Sequence, residues 1–212
     1  MTLYVTSDWH IGHANIIRLC DRPFRDVLHM YETIRDNMLE VLTPDDTLLN
    51  LGDVVMGDRE KHLAWVAAMA LPCKHVLMPG NHDEPWIGNP NDKRRAKYTP
   101  MYEEVFDGVY QLPILSITDD TKPKNDIGMH PVLAWANHFP YEGDSHDTPR
   151  YNDFRYPDEG TPIVHGHTHS HEKISRTAKG TLQIHVGVDA WDFRPVSIDT
   201  IRSLIETEGM TV

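Results

Sequence analysis

Short apolar runs alternate with helix-period stripes along this chain. The runs fall at residues 3–6, 47–51, 75–78, 132–136 and 162–164, each short enough for a buried strand. Between them Met30, Ile34, Met38 and Leu42 recur every four residues and mark one helical face. A second helix is expected over 59–70. A third is expected to begin at Ser197, a suitable N-cap, with Ile198, Ile201, Leu204 and Ile205 on its buried side. A strand entering a solvated turn is expected over 113–129. The polar stretch 141–160, with Gly143, Pro149 and Pro157, reads as a long loop of the kind that often serves as a lid. Strands alternating with helices predict an α/β chain.

Each of the five runs is followed at once by a segment rich in Asp, Asn or His: Asp8-Trp9-His10, Gly52-Asp53, Gly80-Asn81-His82-Asp83, Asn137-His138 and Gly166-His167-Thr168-His169. Loops beyond the carboxyl ends of strands converge on one sheet edge, where rigid strands hold them in place. The five segments therefore predict one site. Mixed nitrogen and oxygen donors suit Mn, Fe, Zn or Ni better than an all-oxygen Ca or Mg cage. Asp8 and His10 share a face if strand geometry persists through them. Gly52 permits a sharp turn that brings Asp53 close to bound ions, and its two carboxylate oxygens can bridge two cations.

Length and composition narrow the possibilities. At 212 residues one domain over 1–212 is expected. The formal charge of −12 disfavours non-specific binding to long nucleic acid, which depends on many Lys and Arg phosphate contacts, and favours a small phosphorylated substrate. Cys20 and Cys73 lie far apart, so two buried free thiols are expected rather than a disulfide or redox motif. No targeting stretch and no run of about 18 apolar residues is present, which points to a cytoplasmic protein without membrane contact.

The ordered series Asp-x-His, Gly-Asp, Gly-Asn-His-Asp, His, Gly-His-x-His resembles the calcineurin-like metallophosphoesterase superfamily. Residues 7–24 and 186–198 also resemble its small bacterial and phage members. The resemblance implies a four-layer αββα sandwich with a dimetal site at the strand C-terminal edge. It implies that Asp8, His10 and His169 hold a first metal, that Asn81, His138 and His167 hold a second, and that Asp53 bridges them. His82 would be the catalytic histidine. Two such cations, Mn foremost, clamp a phosphoryl oxygen and lower the pKa of water between them. The resulting hydroxide attacks phosphorus while His82 neutralises the leaving alkoxide.

The resemblance implies a phosphodiesterase for small phosphodiesters such as 2',3'-cyclic nucleotides, with a phosphomonoesterase or a nuclease as alternatives. Intact ligand residues disfavour a non-catalytic metal-binding scaffold. The protein Ser/Thr phosphatase pattern Gly-Asp-x-x-Asp-Arg-Gly is broken at Met56, which disfavours that activity and leaves Asp58 or Asp83 to orient His82.

Other residues near these motifs invite weaker readings. His13, Arg22 and Arg155 are candidate substrate contacts, set against a capping role for His13 and surface ion pairs for the arginines. His29, His62, His75, His130 and His146 are expected to be bystanders, and His185 to support the site from behind. Trp9, Trp86, Trp135 and Trp191 could stack on a base, although core packing is the ordinary use. The run from Lys93 to Lys97 reads as a solvated helix face that could also guide an anion.

Overall fold

A computed structural model describes residues 1–110 and 115–209. Its elements are, in order, β1 (Leu3–Thr6), α1 (Ala14–Leu19), α2 (Val27–Val41), β2 (Thr47–Asn50), α3 (Arg59–Ala68), β3 (Lys74–Leu77), α4 (Asp92–Val105), β4 (Gly108–Val109), β5 (Leu115–Thr118), β6 (Val132–Ala136), β7 (Ile163–His165), β8 (Ile174–Arg176), β9 (Leu182–His185), β10 (Val196–Ser197) and α5 (Ile198–Gly209).

The strands form two five-stranded sheets, ordered β10-β1-β2-β3-β4 and β5-β6-β7-β9-β8. In the first, β1 to β4 run parallel; in the second, β6, β7 and β9 do, and antiparallel strands close the β10 edge of one sheet and both edges of the other. Parallel strands place their carboxyl ends, and hence the loops after β1, β2, β3, β6, β7 and β9, at one edge. This is the mixed α/β sandwich expected of the superfamily. Inward-facing Val5, Leu49, Val76, Ala134, Val164 and Ile184 make the core between the sheets. The stripe Met30, Ile34 and Met38 of α2 packs instead with Trp9, Leu48, Leu63 and Leu77 in a second core. Helix α5 adds Ile201, Leu204 and Ile205 to the inter-sheet core, and Ser197 Oγ accepts the Thr200 N–H as the expected N-cap.

Three local expectations shift. Helix α3 ends two residues early, where Ala70 turns left-handed (φ +48°) ahead of Pro72. The strand expected from residue 113 begins at Leu115; Pro113 and Ile114 lie outside the described residues. Strand β9 was not anticipated, because Gln183 and His185 interrupt its apolar pattern, yet all four of its residues are buried. Among the described residues no helix is long and apolar enough to cross a membrane.

Candidate metal centre and active site

Strand geometry does not persist through Asp8 and His10. Strand β1 stops at Thr6, and Asp8 and His10 both take left-handed backbone (φ +60° and +51°) while their N–H groups donate to Gly52 O and Asp53 O. The side chains converge because the chain kinks twice, not because alternate strand residues share a face. Asp53 (φ +55°), His167 (φ +69°) and His169 (φ +52°) are left-handed as well. A non-glycine residue in this region costs free energy and persists only where surrounding contacts impose it. Among the described residues, half of the ten non-glycine residues with positive φ are thus candidate metal ligands.

Asp53 sits at the centre. Its Oδ2 lies 3.6 Å from His10 Nε2, 3.5 Å from His138 Nε2 and 4.0 Å from His82 Nε2. On the far side of His10, His169 Nε2 is 4.0 Å from Asp8 Oδ1. Asn81 Oδ1 is 3.1 Å from His138 Nε2. Ligand atoms of Asp8, His10 and His169 fall within 4.8 Å of one another, as do those of Asp8, Asp53 and His138. Two donors bound to one cation at about 2.1 Å stand roughly 3 to 4 Å apart, so these separations fit shared cations. Gly52 is left-handed (φ +103°), as the turn before Asp53 was expected to need. A Cβ at Gly80 would lie 2.4 Å from Asp53 Oδ1, so only glycine lets the third loop approach the carboxylate.

The donor chemistry also fits. Both ring nitrogens of His10 are buried without a hydrogen-bond partner, an arrangement that is costly unless a ligand completes it. Burial, together with the neighbouring His169, holds His10 far below the ordinary histidine range, so its ring stays neutral and able to coordinate. Burial raises Asp8 and Asp53, against the pull of nearby histidines.

Two further carboxylates, not anticipated from the sequence, brace the histidines. Asp189, in the loop after β9, lies 3.2 Å from His169 Nδ1, which leaves Nε2 facing Asp8. Asp144, in the 141–160 loop, lies 3.1 Å from His167 Nε2. A carboxylate on the second ring nitrogen fixes both tautomer and orientation of a metal-binding histidine. Burial works against a charged His169, but its hydrogen bond to Asp189 and the Asp8 carboxylate raise it to about 10. His167 goes the other way, pushed by burial and by His138 to about 2.

These carboxylates revise the two arginines. Arg22 does not face substrate: it is buried, its Nε and Nη2 donate to Asp189 at 2.7 and 2.8 Å, and Nη2 and Nη1 also donate to the carbonyls of Asp8 (2.8 Å) and Trp9 (3.0 Å). Arg155 does not face it either, since its guanidinium donates to Asp144, Pro140 O, Gly143 O and Arg150 O. Each guanidinium is spent on protein oxygens. His13 does stand beside the site, its ring 5.6 Å from that of His10, and its side chain does not cap α1.

Neither proposed orienter reaches the His82 ring. Asp58 caps α3 by accepting from Lys61 N–H. Asp83 accepts the N–H groups of Asp53, Val54 and Gly80, which fixes the loop that carries Asp53; burial and the Asp53 charge push it to about 6. His82 is placed through its backbone instead, its N–H donating to Asp53 Oδ1 at 2.8 Å and its carbonyl accepting from Arg59 at 3.2 Å. His185 stands behind Asp8, its Nε2 3.9 Å from Asp8 Oδ2, but neither of its ring nitrogens is hydrogen-bonded. His62 and His75 are buried packing residues, against Trp65 and between Trp9 and Phe106. Cys73 is buried, whereas Cys20 is only half-buried and falls in a cluster with His169 and Asp189.

Comparison with known proteins agrees with this geometry. The chain belongs to the calcineurin-like phosphoesterase family, whose sequence model matches residues 1–171. It is similar to the Gene 66 proteins of Mycobacterium phage L5 (33% identity, 98% of this chain and 97% of that one) and Mycobacterium phage D29 (34%, 96% and 95%). Among solved structures it resembles AQ665 from Aquifex aeolicus, a protein of unknown function, with 26% identity, a TM-score of 0.63 and coverage of 96% of this chain and 99% of that one. The chain is accordingly a metal-dependent phosphoesterase by family, with candidate ligand groups in place for a divalent pair.

Proposed function

We propose that the chain is a phosphodiesterase acting on small phosphodiesters, nucleotides among them. The observation that carries this reading is the convergence of Asp8, His10, Asn81, His138 and His169 around Asp53, with the His167 ring 5.3 Å from that of His138 and His82 at the rim, 4.0 Å from Asp53 Oδ2. Asp8, His10, His169 and Asp53 would hold one divalent cation, and Asn81, His138, His167 and Asp53 the other, with Mn, Fe, Zn or Ni suited to such donors. When bound, such a pair polarises a phosphoryl oxygen and acidifies water beside it.

The chain's own residues supply the rest. Asp189 and Asp144 hold the two histidines of the Gly-His-Thr-His segment in fixed orientations, and Asp83 holds the Asp53 loop. His82, whose side chain is 41% exposed against 2% for Asp53, is the open donor of the set and is positioned to give a proton to a leaving alkoxide. A diester is favoured over a monoester on the family resemblance and on the complete Gly80-Asn81-His82-Asp83 segment.

The test is hydrolysis of bis-p-nitrophenyl phosphate and of p-nitrophenyl phosphate by protein reconstituted with Mn, Fe, Zn or Ni. Faster turnover of the diester is expected. No hydrolysis with any of these cations refutes the function, and a preference for the monoester moves it to a phosphomonoesterase.

A further inference from the structure

We infer that the group leaving from phosphorus is itself a nucleotide, received in a cavity that opens beside His82. This rests on the phosphodiesterase reading and names the substrate class of the same site.

The cavity holds about 460 Å3, and its lining includes His82, the aromatic residues Trp86, Tyr151 and Phe154, and the arginines Arg59 and Arg94. That volume falls in the range of small-ligand pockets. Direction follows from chemistry. The oxygen of water forms the new bond to phosphorus, the bond to the leaving oxygen breaks with its electron pair staying on that oxygen, and the proton from His82 completes the alcohol. An acid must stand next to the oxygen it protonates. Whatever that oxygen is attached to therefore extends into the space that His82 lines.

The walls suit a planar ring. Tyr151 and Phe154 are half-buried and keep surface open to the cavity, while buried Trp86 backs both, with ring centroids at 5.2 and 4.8 Å. Tyr151 is held left-handed (φ +59°), an unfavourable state for a bulky residue, and this places its ring between Trp86 and Phe139. Gly88 is needed beneath: a Cβ there would strike the Trp86 and Phe154 rings at 2.5 and 2.7 Å.

Two arginines, Arg59 and Arg94, line the cavity in a strongly acidic chain. Arg59 and Arg94 both pair with the carboxylate of Glu84, Arg59 Nε at 3.2 Å, while the other carboxylate of the lining, Asp83, is buried and turned to the backbone N–H groups of Asp53, Val54 and Gly80. Arg59 is spent bracing the His82 and Gly57 carbonyls. Arg94, bonded to Glu84 through Nε and Nη2, keeps half of its side chain in solvent (51%) and is the more open of the two cations. An aromatic lining that includes a cation matches a base joined through a sugar to a phosphate. It matches an alkyl alcohol poorly and an uncharged aromatic alcohol only in part.

The experiment uses metal-reconstituted enzyme and four dinucleotide diesters, with product analysis to show which nucleoside leaves. Removing the base from the leaving side is expected to lower kcat/KM about tenfold or more, since stacking one base on an aromatic side chain is worth roughly 1 to 3 kcal/mol. Removing it from the retained side should cost under about threefold. A phosphate added beyond the leaving nucleoside should raise kcat/KM. Phe154→Leu and Tyr151→Leu should each bring the base-bearing to base-less ratio towards one, and Arg94→Gln should erase the phosphate effect. Near-ultraviolet circular dichroism checks that each variant is folded, and either aromatic variant suffices if the other is not. Equal turnover with and without the leaving base overturns the inference. So does turnover of bis-p-nitrophenyl phosphate with none of any dinucleotide, which leaves the phosphodiesterase reading standing. Failure on every diester removes both.

Discussion

Replacing Arg22 by Met tests whether the buried arginine is a strut of the metal centre. The change removes two charge-assisted bonds to Asp189, at 2.7 and 2.8 Å, and two bonds to the carbonyls of Asp8 and Trp9, at 2.8 and 3.0 Å. Summing individual values overcounts, because the Asp189 bonds share one pair of charges. The better guide is the loss from breaking a buried ion pair by deleting one partner, about 3 to 5 kcal/mol, since an uncompensated carboxylate is left behind. Asp189 retains His169 on one oxygen, and Met fills much of the volume, so about 3 kcal/mol is expected. A surface pair, the sequence-level alternative, is worth at most about 1 kcal/mol.

The assay is urea unfolding of metal-free protein, for which that loss is a large part of a total of about 5 to 15 kcal/mol. A second variant, Arg22→Met with Asp189→Leu, removes both charges and should be less destabilised than the two single changes added together. Metal affinity should fall about 10- to 100-fold in Arg22→Met, because Asp189 then orients His169 less firmly. A loss below about 1 kcal/mol, or strict additivity in the double variant, would refute the strut.

Three other outcomes follow from the geometry. His82→Ala should lower turnover about 10²- to 10⁴-fold with the metal content measured by atomic absorption unchanged, since His82 lies outside the ligand set. Gly80→Ala should reduce metal content itself, because the new Cβ would lie 2.4 Å from Asp53 Oδ1 and 2.6 Å from the His138 ring. Burial holds His75 down to about 3, against an ordinary 6.5. Above pH 6.5 both folded and unfolded states are then neutral at His75, and below it the unfolded state takes up the proton first, so stability falls as pH drops from 6.5 towards 3. Between pH 6.5 and 5 this one site costs about 2 kcal/mol. His75→Leu should lose that much less over the same interval, as read from urea midpoints of metal-free protein.

The ligand loops were legible because each follows an apolar run and consists of residues with little else to do at a strand end. The braces were not. Arg22 and Asp189 are 167 residues apart, and nothing local to either marks it as buried. An isolated Arg in an acidic chain reads as surface, and only the loops that bring Asp8 O, Trp9 O and Asp189 to one point make burial of its guanidinium tolerable. Strand β9 was hidden for a related reason: Gln183 and His185 break the apolar run, but Gln183 is satisfied by Glu142 and Ser175. The twist of Asp8 and His10 was equally invisible, since spacing of i and i+2 serves a strand and a double kink alike.

The composition of the 141–160 loop suits a lid, but its bonds make it a clasp. Arg155 ties the carbonyls of Pro140, Gly143 and Arg150 to Asp144, and Asp144 in turn also binds the Arg150 side chain and reaches His167. The same loop carries Tyr151 and Phe154 at the wall of the cavity beside His82. One guanidinium therefore couples the orientation of a metal-site histidine to the shape of the leaving-group pocket. Arg155→Met should accordingly weaken metal binding, as loss of Asp144 support predicts, and also blunt any preference for an aromatic leaving group. A free lid would show neither effect when Arg155 is changed, because its closed position would be set by substrate rather than by a bond already made.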